Sequence, residues 1–481
     1  VPKYSVRGLS IKGKTMKTAN APIRQRANRL LITLFVLAAG AVPFFTARTR
    51  AATDAVVDMI IDLLKGTDNE MRMLALQQIR EEVPGENATR RFVELLPELA
   101  PDVQTQFIDA LGERGDASAR PAIIEMLDSE TKAIRAVAVR ALSALAVPAD
   151  VPRLARLAAT GSDAEQEAAR YSLRRLRGKE MDAAMIETLK TADPNSQVEL
   201  MAALVDRKVR EALPAALKNV DNSNPTVRLA ALNALGALGN ETHAAMLVER
   251  LKSATDASER RCAAVALRAT CVRYRIKCED AVIDGLDGAD AATRLLIMRL
   301  LPLTAGPKSL NEIVAHLEDK DQAVRAEAVR LLADWRNTNA IPHLKNLARS
   351  TDNLKNHVFA IRGLVRLAGP REGRPADIAA LSDAMKLATR KEEKTLVLGT
   401  LGMVPTLESL TLAAAALDQH DIVEDAGLTA VLIAEKISES NRNQVLTVMQ
   451  KVLQTVQNKA TRYRAEKVLQ QPSQQEVTTV Q

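Results

Sequence analysis

Aromatic side chains are scarce: six Phe, four Tyr and one Trp in 481 residues. So few rings leave no stacking platform for single-stranded nucleic acid. Three cysteines can build neither a disulfide scaffold nor, by themselves, a four-cysteine zinc site. Twenty glycines and 19 prolines exclude a collagen-like or proline-rich polymer. None of the five histidines (His243, His316, His343, His357, His420) is followed by Glu. HExxH, CxxCH, CxxC, GxSxG and phosphate-loop patterns are all missing. The sequence therefore points to no catalytic residue, no metal ligand and no cofactor. What it has is 47% apolar and 26% charged residues, enough to bury a core and too mixed for disorder.

The formal charge of +7 is unevenly placed. Residues 1–51 carry ten Lys and Arg and no acid, so from Ala52 onward 56 bases face 59 acids. A near-neutral body has no strong field to neutralise phosphates, which disfavours a nucleic-acid partner. Arg24, Arg26 and Arg29 precede residues 30–42, LLITLFVLAAGAV, a run of 13 without charge. That order and length fit the basic and apolar regions of a secretory signal. Thr49 and Ala51 supply small residues for cleavage, with a mature start near Ala52. The competing reading is an uncleaved inner-membrane anchor over residues 30–47, weakened by Thr33, Gly40, Pro43 and Thr46. No cysteine follows the run to carry a lipid, and Met16 opens a more ordinary leader than Val1 does. Either way the expectation is export to the periplasm or cell envelope.

Beyond the leader the chain repeats. IRAVAVRALSAL (134–145), VRLAALNALGAL (227–238) and VRAEAVRLLADW (324–335) align, with Arg135, Arg228 and Arg325 at the second position. These arginines are 93 and 97 residues apart, three steps of about 31–32. Intermediate steps fall at Arg72, Glu199, Arg261, Arg294, His357 and Lys394, among others. Within a copy, Val227, Ala231, Leu235 and Leu238 share one helical face. Pro121, Pro152, Pro214 and Pro342 open short apolar runs, as proline does in a first helical turn. Each unit is thus a short helix, a polar turn and a second helix. A pair of helices cannot bury its apolar faces alone, so the units stack. Residues 54–471 hold about 13 of them. The expected organisation is a basic leader (1–51), an all-α array (52–471) with a longer loop at 368–377, and a polar tail (472–481).

The Asp-to-Arg spacing and the VRxxA core that follows it resemble the HEAT-repeat family, in the short form also seen in bilin-lyase-type repeats. The matching pairs are Asp128 and Arg135, Asp221 and Arg228, and Asp287 and Arg294. The resemblance implies an α-α superhelix, a HEAT-repeat solenoid. It places the Asp in the turn and the Arg, including Arg325, on the second helix, as a structural ladder between neighbouring repeats. Where the ladder residue changes, at Glu199, His357 and Lys394, irregular stacking is expected.

Cys262, Cys271 and Cys278 fall in one repeat. Cys262 and Cys271, nine positions apart on a helix, are about 13 Å apart by helix rise and cannot bridge. Cys271 and Cys278 would close a disulfide clip in an oxidising compartment, or else serve as small core residues. The same repeat carries the densest basic cluster outside the leader: Arg260, Arg261, Arg268, Arg273, Arg275 and Lys277. A second lies at Arg170, Arg174, Arg175, Arg177 and Lys179. Each is either a solvated helix face or a dock for an acidic partner. Together these features point to an exported scaffold that grips a protein partner in a groove lined by the second helices. The alternatives are a bilin-lyase-like enzyme or accessory protein and, disfavoured by charge, a nucleic-acid binder. Amino-terminal sequencing of the exported product should return a chain starting at Ala52; one retaining residues 30–42 would remove the cleavage site.

Overall fold

The computed structural model describes residues 46–81, 85–437, 439 and 441–471, with side chains described from Asp54 onward. The apolar run up to residue 45 and the tail from 472 lie outside the described residues. Helix Thr46–Lys65 runs across the expected mature start at Ala52. Among the described residues no helix is long and apolar enough to cross a membrane.

Those residues form an all-α array of thirteen helical hairpins, the number expected from the period. Five hairpins lie in a unit that ends at Arg207 and eight in a unit that begins at Lys208. In the first unit, second helices stack on second helices: Pro101–Arg114 on Lys132–Leu145, and that on Asp163–Arg175. In the second unit, Pro225–Leu238 packs on Ala257–Tyr274, and farther along Gln322–Ala333 packs on Leu354–Ala368. The longer loop follows Ala368 and contains one isolated bridge, between Arg371 and Arg374. Its last residue, Asp377, caps helix Ile378–Leu387.

Local signals start the helices. Pro121, Pro152, Pro214 and Pro342 occupy the first turn of first helices. Pro101, Pro194, Pro225 and Pro307 open others in the same way. The N–H that proline lacks would have had no intrahelical partner there. Asp193, Asn224, Asp256 and Asp321 cap second helices by accepting backbone N–H bonds from the first turn.

Val227, Ala231, Leu235 and Leu238 are all buried, and so are Leu232, Ala234 and Gly236 beside them. A helix inside a stack is covered by its own hairpin partner and by neighbouring repeats, so its apolar arc is broad. Full burial of each large aliphatic side chain contributes roughly 1.5–3 kcal/mol. Close approach between second helices sets the spacing. A Cβ on Gly236 would lie 2.7 Å from Ala266 Cα, and one on Gly112 would lie 2.8 Å from Ala141 Cα. Both contacts are to backbone, which cannot swing aside. Gly236→Val should therefore lower stability by about 1–3 kcal/mol or more in urea titrations followed by circular dichroism; an unchanged midpoint would contradict this contact.

Candidate binding surface

Arginine in the first turn of a second helix closes its own hairpin. The guanidinium reaches back to the carbonyl six residues earlier: Arg72 to Gly66 (2.9 Å), Arg135 to Ser129 (2.8 Å) and Arg228 to Asn222 (2.9 Å). Arg325 reaches Asp319 (2.6 Å) and Arg462 reaches Val456 (3.0 Å) in the same way. In the repeat between Arg228 and Arg294 this position belongs to Arg260, bonded to the Ala254 carbonyl at 2.8 Å. Arg261, expected there from the spacing, points elsewhere and is exposed.

A second link joins successive repeats. Arg135 pairs with Glu165 at 2.5 Å and Arg228 with Glu259 at 3.0 Å, both carboxylates being buried. Arg170–Glu199 (2.7 Å) and Arg299–Glu327 (2.9 Å) repeat the arrangement. Arg294 instead meets Asp319 at 3.2 Å and the Ala289 carbonyl at 3.0 Å. The turn aspartates do not pair with the arginine of their own repeat. Asp128 pairs with Arg153 of the following hairpin at 2.6 Å, and Asp221 with Arg250. Asp287 takes part through its backbone, accepting from Lys252 Nζ at 2.9 Å. The buried glutamates were missed in the sequence, although Glu165 and Glu259 follow their arginines by 30 and 31 residues, one repeat.

The three departures from arginine keep polar links. Glu199 is the acceptor for Arg170, and Lys394 pairs with Asp421 at 3.3 Å. His357 is buried; because a carbonyl only accepts, its Nδ1 donates to the Ala348 oxygen at 3.0 Å. Its Nε2 faces Glu393 at 3.5 Å, and that carboxylate also accepts the backbone N–H groups of Thr389 and Arg390. Among the described residues no group of three or more His, Cys, Asp or Glu is placed to hold a metal.

Cys271 and Cys278, for which the sequence left open a disulfide clip or small core residues, are both buried free thiols. Burial pushes the Cys271 thiol up to about 12, so it stays protonated and a weak nucleophile. Cys262 donates to the Leu229 carbonyl at 3.4 Å.

The basic cluster separates into two kinds of residue. Arg260 clamps its turn, Lys277 pairs with Glu241 at 3.1 Å, and Arg273 donates to the carbonyls of Gly236 and Ala237. These three are structural. Arg261, Arg268 and Arg275 are exposed and make no ion pair or hydrogen bond through their side chains among the described residues. The second cluster is mostly engaged: Arg174 pairs with Asp206 at 2.7 Å, and Arg175 lies 5.3 Å over the Tyr171 ring.

Residues 89–174, 183–268 and 279–362 match the family described as HEAT repeats, just over half of the chain. The chain belongs to the HEAT-repeat family. No curated protein matches it. Among solved structures, this HEAT-repeat protein is similar to Kap121p bound to Ste12p, at 13% identity and a TM-score of 0.47. That match covers 92% of this chain and 56% of Kap121p, so the chain spans little more than half of its length. Importin beta, in an ammonium sulfate condition, matches at 12% identity and a TM-score of 0.34 over 86% of this chain and 72% of its own. These likenesses concern the fold alone.

One rung of the ladder, Arg135–Glu165, makes stability depend on pH. The hydrogen bond from Arg135, with help from Ser162, outweighs burial and holds the Glu165 carboxyl at about 2, against an ordinary 4.5. A depressed folded value means the carboxylate's contribution is complete above about pH 4.5 and is lost as pH falls towards 2. Glu165→Gln should cost about 1–3 kcal/mol at neutral pH. The gap from wild type should close within that acid window in urea titrations; a gap independent of pH would contradict the pairing.

Proposed function

We propose that this HEAT-repeat protein is an exported or envelope-associated scaffold that holds a protein partner on the layer formed by its second helices. The observation that carries this reading is where apolar side chains meet water. Among the described residues eleven large hydrophobic side chains are left exposed, and seven of them lie on second helices, including Val265, Val272, Leu396 and Leu428. First helices, by contrast, contribute Leu217 alone. Solvent-exposed apolar groups gathered on one layer are what a binding face requires. The mechanism is geometric: within a unit, stacked second helices offer side chains from successive repeats to one extended partner. Export rests on the basic and apolar leader of residues 1–51, whose order matches a secretory signal.

The test is site-specific. A photo-reactive residue replacing Leu428, on a second helix, should capture a partner from an envelope fraction. The same residue replacing Leu217, on a first helix, should not. Capture confined to the first-helix position, or at neither, would overturn the assignment. Deleting residues 1–51 should leave the protein in the cytoplasmic fraction; export without them would overturn the leader's role.

A further inference from the structure

Helix Ala257–Tyr274 is the longest second helix, at 18 residues. Its sequence, ASERRCAAVALRATCVRY, holds four arginines and one acid, and that acid, Glu259, is buried against Arg228 and Arg250. Two of the arginines, Arg260 and Arg273, are spent on backbone carbonyls. The other two, Arg261 and Arg268, alternate along the exposed face with Val265 and Val272, which keep 57% and 53% of their surface in water.

At 100° per residue these four positions fall within a strip about 60° wide and about 16 Å long. Arg275 and Ile276 lie exposed just past the helix end and prolong the same composition. Arg275 sits at φ 49°, a backbone region that disfavours side chains. The exposed residues in the middle and last turns of the preceding second helix are Asn233 and Ala237, both short. Nothing bulky on that side screens the strip.

The spacing 261, 265, 268, 272 alternates four and three, the interval at which one helix meets another lying alongside it. Among the described residues no carboxylate receives the donors of either arginine. The missing complement is thus acidic at seven-residue intervals, with apolar residues between. We infer that the strip on helix Ala257–Tyr274 docks an acidic amphipathic helix of a partner protein. Its carboxylates pair with Arg261 and Arg268, and its apolar residues cover Val265 and Val272. A membrane surface is the poorer match. Interfacial helices bury a broad apolar face with Trp, Phe or Leu, whereas this strip is narrow and carries valine between charges.

This inference rests on the reading that the second helices receive a protein partner, and its test separates the two. The probe is a fluorescent helical peptide with glutamates seven residues apart and leucines between them, titrated into the full chain and followed by anisotropy. Binding should weaken with salt and fall at least about tenfold in Arg268→Glu. A peptide with the facing glutamate changed to lysine should recover affinity for that variant. Arg156→Glu, an exposed change on a first helix with the same effect on net charge, should bind as wild type does. Circular dichroism checks that each variant folds. Equal affinity for wild type and Arg268→Glu overturns the inference, as does peptide binding with no partial rescue by the lysine peptide. So does Arg268-dependent sedimentation with phosphatidylglycerol vesicles in the absence of peptide binding. If the peptide fails while Leu428 still captures a protein, the strip falls and the scaffold reading stands. If both fail, both fall.

Discussion

Each hairpin has only two helices, and packing one on the other leaves part of their apolar surface uncovered. Every other feature of the chain follows from that shortfall. The uncovered face must meet the next repeat, and in both units second helix lies on second helix. The contact is close enough at Gly112 and Gly236 that a methyl group would strike the neighbouring backbone. Burial of aliphatic side chains supplies the attraction, and small residues at the crossing let it act at short range.

Polar chemistry in this fold answers a secondary problem: what happens to the charges and carbonyls at the turns. A turn between two helices leaves carbonyl oxygens without helical partners. Arg72, Arg135, Arg228, Arg260 and Arg325 fill that need by reaching six residues back. Arg135 and Arg228 then have donors left for a buried glutamate of the next repeat. One side chain thereby ties a turn to its own helix and a repeat to its successor. Arginine suits this because its planar fork offers several donors in fixed directions. His357, in the corresponding place, has only two ring nitrogens: Nδ1 takes the Ala348 carbonyl, and Nε2 stands 3.5 Å from Glu393 without a hydrogen bond.

That economy changes what the basic residues mean. Six of them crowd one repeat, yet three are consumed in holding it together. Arg261, Arg268 and Arg275 are left in water, two of them on a helix whose single acid is already taken. What is left is a surplus of one charge, placed in register with exposed valines on a single second helix.

The sequence by itself determined the helical class, the hairpin unit and the number of repeats. Proline at first turns, a period near 31–32 residues and the Val227–Ala231–Leu235–Leu238 stripe are local signals, readable within one repeat or by comparing repeats. The tertiary structure alone decided who pairs with whom. Asp128 and Arg135 are near in sequence but pair with different helices of the next hairpin, because the partner of each is brought close by stacking rather than by chain connectivity. For the same reason Arg260 and Arg261, adjacent and chemically identical, have opposite roles. A helix turns 100° between them, so one faces its own turn and the other faces solvent, and only the placed helix shows which is which.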